Sequence, residues 1–532
     1  MLVREFIKNL LIGLIQKKFG ILPEFLVAVP ENPEHGDYST NAALVLAKSL
    51  KKSPIEVAKE VADILVGQLK GWKIEIAGPG FINFWMSEDF LQKEFGKILR
   101  EKENYGKGKR KKQKVQVEFV SANPTGPLTL ANGRGGFWGD TLSNTLKFSG
   151  YPVEREYYIN DTGNQIITLG KSILSAVGLI PGEENFYKGE YIKKWARGNR
   201  RKVKKFKSNP LGLGQEAAKD FLADIKRGLI KAKIAFDRFT SEEKDLHQKN
   251  FVKKALAVLQ KSGKVFEKEG ATWLKTTDFA DDKDRVLLTS DGFPTYFLAD
   301  AGHYLETKTR GFSAKINILG PDHFGYVKRI QAAGELLGFK NSQIIITQTV
   351  RLVRGGKEVK MSKRKGEFVT FADLLKEVGP EMARYFFLEK SPDSHLDFDL
   401  DLAKKRSSKN PVYYIQYAHT RAASILRKTK NPNPKLQIAD CKLLKEAEEL
   451  RLIKKLIQFS EIVEDTANDY QVHRIPRFAL ELARIFHHFY EKHRVVTGAF
   501  RLTKARLSLV FGTRIILKSL LGLMGMVAPE KM

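Results

Sequence analysis

The chain has 532 residues, of which 42% are hydrophobic, enough for two to four folded domains and too apolar for a disordered protein. One cysteine, Cys441, excludes a disulfide framework or a cysteine zinc site within the chain. A formal net charge of +30, from 91 basic and 61 acidic residues, points to a polyanionic partner.

Residues 1–105 read as a small α+β domain. Leu2, Phe6, Leu10 and Leu14 recur every four residues and predict a first amphipathic helix. Glu34-His35-Gly36-Asp37 is turn chemistry, in which His35 and Asp37 fix the turn. Asn41 to Leu50 is helical, and Lys73 to Ala77 alternates as a strand. Glu101 to Lys114 is charged and holds glycines, as a solvated hinge would. No apolar run reaches membrane-spanning length. The N-terminal run Asn9 to Gln16 lacks a cleavage signal, so a cytoplasmic protein is expected.

From 106 to 405 the pattern is α/β. Val115, Val117 and Phe119 alternate with Gln116 and Glu118 as a strand, a Pro/Gly loop follows, and a helix starts near Leu130. Such a strand–loop–helix junction suits phosphates, because free N–H groups and the helix dipole face the ligand. Lys315 to Leu319 and Gln343 to Thr347 are apolar strands of a parallel, doubly wound sheet. Between its halves an insertion is expected at about 170–285, with a basic run from Arg197 to Lys207. Residues 406–532 read as an all-helical bundle. Leu450 to Val463 and Phe478 to Tyr490 are amphipathic, Asn431 to Pro434 is a loop, and the end is a helix closed by Ala528-Pro529. Tyr413 and Tyr414 are expected to pack between helices.

The segment VEFVSANPTGPLTLANGRGG, Val117 to Gly136, resembles the signature of class I aminoacyl-tRNA synthetases, and of the arginyl-tRNA synthetases in particular. Ser121, Asn123 to Leu128, Gly133 and Arg134 match. The core reads Thr129-Leu130-Ala131-Asn132 where the family carries two histidines around an apolar residue and a glycine. A second match, Lys360-Met361-Ser362-Lys363-Arg364, is the family's lysine loop, flanked by Gly355, Gly356 and Gly366. Cations there would stabilise the charge that builds on departing pyrophosphate. Further matches are Asp322-His323, DGFPTYFLAD from Asp291 to Asp300, and NPVYYIQYAHTR from Asn410.

The resemblance implies three units: an N-terminal tRNA-elbow domain (1–105), a Rossmann-type catalytic domain (106–405) and a helical anticodon-binding domain (406–532). It implies an enzyme that activates L-arginine with ATP and Mg²⁺ and transfers it to arginine tRNA, acting as a monomer. By this likeness Thr129, Asn132, Lys360 and Lys363 are catalytic. Pro127, Leu128, Ala131, Gly133, Asp322, His323, Met361 and Ser362 contact ATP. Glu118, Ser121, Asn123, Tyr296 and Asp300 contact arginine, the carboxylates matching a planar guanidinium. Thr and Asn at the histidine positions donate hydrogen bonds but carry no charge, and the Ala131 methyl would crowd adenine. The alternative is a silent tRNA-binding paralogue.

Overall fold

The computed structural model describes residues 2–340, 342–359, 369–429 and 438–532. Lys360, Met361, Ser362, Lys363 and Gly366 of the lysine loop lie outside the described residues, as does the expected loop at Asn431 to Pro434.

The N-terminal unit pairs the helix Val3–Phe19 with a four-stranded antiparallel sheet, in the order Val27–Ala28, Tyr38–Thr40, Phe81–Trp85, Lys73–Ala77. The stripe fully buried on that helix is Val3, Ile7, Leu11 and Ile15, one position on from the expected one. Leu2, Phe6, Leu10 and Leu14 form the half-buried stripe beside it, with Phe6 stacked on Phe90. Two adjacent apolar stripes make a wide face, and packing selects its centre. Asp37 does more than close a turn. It accepts from the Met86 N–H and pairs at 2.7 Å with Lys454 of the helical unit. Arg4 clasps Asp465 of the same unit.

The expected hinge is mostly exposed but anchored. The helix Glu88–Glu101 runs into it, Tyr105 is buried with its hydroxyl on Ile457 O, and the Gly108 N–H donates to Phe148 O.

The central sheet consists of β1 (Val115–Phe119), β2 (Val153–Ile159), β3 (Arg238–Ser241), β4 (Ala314–Leu319) and β5 (Ser342–Ile346). All are parallel, in the order β5-β4-β1-β2-β3. The helix α1 (Leu130–Phe148) follows β1, and α2 (Tyr296–Thr309) precedes β4. The chain winds from β1 outward through β2 and β3, then returns to β4 on the other side of β1. The reversal places a crevice at the carboxyl ends of β1 and β4, where open α/β sheets bind ligands.

One boundary expectation is corrected. β3 lies inside the segment 170–285 and forms an edge of the central sheet, so that segment is not a continuous insertion. What is added is a helical pair, Asn164–Ala176 against Pro210–Lys231, and a three-stranded antiparallel sheet at Val265–Lys268, Ala271–Leu274 and Arg285–Leu288. The helices cross so closely that a Cβ on Gly170 would lie 1.8 Å from Pro210 O. The basic run forms parts of the helices Glu190–Gly198 and Arg200–Lys205, with Trp195 and Val203 buried and most cations exposed.

The C-terminal unit is helical as expected, through Pro411–Lys428, Ala447–Ile457, Phe459–Asp469, Arg474–Lys492 and Phe500–Leu523. The stretch Leu450 to Val463 is two helices, divided at Gln458. The last helix stops at Leu523, before Gly525 at φ +69°, rather than at Ala528-Pro529. The tail then crosses the helix Pro411–Lys428, where Thr420 Oγ1 donates to Pro529 O.

Arg384 locks α1 to the elements beneath it. It is almost fully buried, pairs with Asp140 at 2.5 Å and donates to Ala232 O and Lys233 O. Removing one partner strands a buried charge. Arg384→Met should destabilise the catalytic unit by about 3–5 kcal/mol, read as an earlier urea transition. An unchanged midpoint would contradict this.

Candidate functional site

β1 is buried on both faces, and its polar residues Gln116 and Glu118 point into a packed layer rather than to solvent. At its end the backbone turns abruptly: Val120 and Ser121 adopt φ +67° and +36°, a left-handed region that a β-branched residue such as Val120 rarely enters. The turn places Ser121 Oγ between two partners. It donates to Glu118 Oε1 at 3.1 Å and accepts from the Tyr158 N–H.

The loop from Asn123 leads to Thr129, the N-cap of α1. Thr129 and Asn132 form a reciprocal cap: the Thr129 N–H and Oγ1 donate to Asn132 Oδ1 at 2.9 and 2.8 Å, and the Asn132 N–H returns to Thr129 Oγ1. Because an N–H cannot donate to an amide nitrogen, the cap fixes the amide orientation. Asn132 Nδ2 stays outside the cap, on a residue that lines the crevice.

α2 supplies the opposite wall. Thr295 caps it, Tyr296 stands at the mouth with 56% of its surface exposed, and Asp300 lies one turn deeper. Tyr326 donates its hydroxyl to Asp300 Oδ2 at 2.5 Å. Burial pushes the Asp300 carboxyl up to about 7; the Tyr326 hydrogen bond and His303 act against that shift, and the charges of Glu118 and Glu242 add to it.

These elements enclose a cleft of about 750 Å³. Of the residues expected from sequence, Glu118, Ser121, Asn123, Pro127, Thr129, Ala131, Asn132, Tyr296, Asp300, Asp322 and His323 line it. Asp322 and His323 sit exposed in the short 3-10 helix Pro321–Tyr326 after β4. Two expected ATP contacts do not reach it. Leu128 is buried, with its carbonyl bonded to the Phe371 N–H. Gly133 faces the Phe371 ring, which an added Cβ would meet at 2.4 Å. Glycine at 133 is required by helix packing, and the backbone at Leu128 by the same neighbour. Lys360, Met361, Ser362 and Lys363 lie outside the described residues.

Several cleft residues escaped the sequence reading. Glu242 is buried just after β3 and lines the cleft, with His247 Nε2 at 3.3 Å from its Oε1. Its strand, RFTS, is too short and too polar to signal itself. Tyr158, His303, Tyr326 and Asn317 also line it. Beneath them runs a buried polar layer. His303 stacks on Tyr158 and contacts Glu156 at 2.5 Å, and Glu156 also meets Thr240, Gln116 and Arg310. Burial opposes ionisation of Glu156, but His303, Lys315 and Arg310 outweigh it and hold the carboxyl well below the usual range. Glu156, His303 and Glu306 cluster as metal ligands could, yet both carboxylates already pair with arginines, Arg310 and Arg238. The group is an internal salt-bridge network.

Arg134, from the same signature, is fully buried and donates to Gln348 O, Ser391 O and Ser394 O. It ties α1 to the roots of the parallel strands Val350–Arg354 and Leu396–Asp399.

The cleft thus joins a carboxylate-bearing floor, suited to a cation, to a helix N-terminus, suited to phosphates. Comparison with known proteins gives the same picture along the whole chain. The family "tRNA synthetases class I (R), catalytic domain" matches residues 94–176 and 181–419. "Arginyl tRNA synthetase N terminal domain" matches 2–86, and "DALR anticodon binding domain" matches 415–532. The arginine–tRNA ligase of Desulforamulus reducens is 43% identical over 96% of this chain and 94% of its own length. That of Listeria monocytogenes is 42% identical over 99% and 98%. A Campylobacter jejuni structure described as a putative arginyl-tRNA synthetase superposes with TM-score 0.74 at 34% identity, over 84% of this chain and all of its own. The Thermus thermophilus arginyl-tRNA synthetase, at 22% identity, shares the fold over the full length of both chains with TM-score 0.80. On these matches and this architecture, the chain belongs to the arginyl-tRNA synthetase family of class I aminoacyl-tRNA synthetases.

Proposed function

We propose that the protein is an arginine–tRNA ligase whose cleft holds arginine on the Asp300 side and ATP on the α1 side. The observation that carries this reading is the placement of Asp300, a half-buried carboxylate without an ion-pair partner among the described residues, across one cleft from the N-terminus of α1. A guanidinium supplies the missing cation, and phosphates supply the anion that the helix end favours.

In this reading Asp300 and Glu242 receive the guanidinium and Tyr296 closes the mouth over the substrate. Ser121 and Asn123 hold its amino and carboxylate groups. Asn132 Nδ2 donates to the phosphates, with Thr129 as its partner in the cap. Pro127 and Ala131 border the nucleotide, and Asp322 and His323 meet the ribose and adenine. Lys360 and Lys363, with Met361 and Ser362 between them, cover the pyrophosphate end. Mg²⁺ bound with ATP would neutralise phosphate charge; the Glu156–His303–Glu306 group, whose carboxylates already pair with Arg310 and Arg238, is not suited to hold it.

An arginine carboxylate oxygen attacks the α-phosphorus and pyrophosphate leaves. The 2′-hydroxyl of the terminal tRNA adenosine then attacks the activated carbonyl, losing its proton, and AMP departs. No enzyme nucleophile is needed: catalysis is positioning and charge stabilisation. Activation requires bound tRNA, and the basic surface steers that polyanion in a salt-dependent manner. The protein acts as a monomer in the cytoplasm; no helix among the described residues is long and apolar enough to cross a membrane.

Aminoacylation assays with arginine tRNA transcript, ATP, Mg²⁺ and labelled arginine test this directly. Arginine-specific charging is expected, and faster charging by a Thr129→His/Ala131→Gly/Asn132→His variant. Tight tRNA binding without charging would support the silent paralogue instead. Asp300→Asn should lower kcat/KM for arginine by about two to three orders of magnitude.

The raised Asp300 carboxyl sets a pH dependence. A guanidinium binds the ionised form, so affinity for arginine is steady above about pH 7. Below that pH it should weaken by up to about tenfold per unit. Calorimetric titration across this range reads it, and a flat profile down to pH 5 would refute the role of Asp300.

A further inference from the structure

Lys315 has no exposed surface. It stands on β4 beside the central strand, and its Nζ donates to Glu118 Oε2 at 3.0 Å and to Gln116 Oε1. Asn317, on the same face of β4, donates to the same Glu118 oxygen at 2.7 Å and is itself held by the Tyr304 hydroxyl at 2.9 Å. Ser121 donates to the other oxygen, and His303 Nδ1 lies 3.6 Å from Oε2. Glu118 therefore meets the cleft with its charge balanced and three donors already on its oxygens.

Asp300 is placed differently. It takes one hydrogen bond, from Tyr326, and has no ammonium or guanidinium within ion-pair distance among the described residues. Glu242 faces a histidine rather than a permanent cation. A guanidinium brought to Glu118 would share one carboxylate with a buried ammonium, whereas at Asp300 it would meet an unopposed charge. Attraction between charges strengthens as water is excluded, and so does repulsion between cations.

We propose that Lys315 determines which carboxylate reads the charge of the substrate: the Glu118–Lys315 pair is an internally neutral fixture that positions the Ser121 turn, and Asp300 with Glu242 carries the uncompensated negative charge. The inference rests on arginine occupying this cleft. It makes Lys315 a specificity-determining residue without direct substrate contact, and Glu118 a positioning residue rather than the ion-pair partner expected from the signature. Glu118→Gln then harms recognition chiefly by unmasking a cation in the pocket, and removing that cation restores it.

The test is a double-mutant cycle on the full chain, with Glu118→Gln, Lys315→Met and the double variant. Arginine kcat/KM is measured by tRNA-dependent ATP–pyrophosphate exchange. Inhibition by L-citrulline, whose neutral urea replaces the guanidinium, isolates the charge effect, and thermal melting confirms folding. Glu118→Gln should lose about tenfold or more in kcat/KM for arginine while citrulline inhibition changes by less than about threefold. The double variant should recover to within about threefold of the native enzyme. A double variant no better than Glu118→Gln, or one as impaired as Asp300→Asn, would overturn the inference and make Glu118 the guanidinium ligand. If Glu118→Gln does not fold, the double variant, which leaves no orphan charge, carries the test alone. A native protein that exchanges pyrophosphate with no amino acid would sink the proposed function itself, a result separate from either outcome of the cycle.

Discussion

The double burial of β1 is the constraint on which the site depends. A central strand of a parallel sheet has both faces covered, so each polar residue on it must find partners in the interior. Gln116 and Glu118 find theirs on the neighbouring strands, in Lys315 and Asn317 of β4 and Glu156 of β2. Arg310 and His303 extend the layer from α2 and the segment after it. An unpaired member of such a layer is expensive, which makes the layer rigid once it is complete. The cleft wall stands on this rigid base, and the backbone turn at Val120 and Ser121 is held from both sides by it.

Asp300 gains its character by contrast. It lies close enough to the layer to be desolvated, yet outside its pairing scheme. A carboxylate left without a cation in that setting is poor for stability and well suited to recognising one. Stability and function divide along this line: Glu156, Arg310 and Arg384 hold the protein together, whereas Asp300 and Glu242 remain available. α1 shows the same division on one helix. Arg134 and Asp140 anchor it from below, Gly133 lets it approach Phe371, and Thr129 with Asn132 closes its N-terminus at the cleft. The departure from two histidines gives up possible positive charge there and gains a hydrogen-bonded cap with one amide donor of fixed orientation.

Much of this was legible in the chain. Apolar runs such as Lys315 to Leu319 marked strands, and the Pro/Gly loop before Leu130 marked the turn that lines the cleft. The carboxylate four residues beyond Tyr296 marked the pocket wall. What stayed hidden was decided by tertiary contact. β3 is four residues long and carries Arg and Thr, so nothing in its pattern announces a sheet edge, and Glu242 went unnoticed with it. Gly133 and Leu128 belong to a recognisable signature, but a signature does not distinguish residues that touch a ligand from those that pack the helix presenting it. The buried stripe of the first helix was displaced by one residue because its apolar face is wider than a single row. The ion pair between Glu118 and Lys315, 197 residues apart, was not legible either, because on β4 Lys315 looks like an ordinary strand lysine.

The most direct measurement is a structure of the protein with bound arginine. The guanidinium is expected against Asp300, with Glu242 beside it and the Glu118–Lys315 ion pair intact beneath. A guanidinium seated on Glu118 with Lys315 displaced, or an arginine outside the cleft, would contradict this.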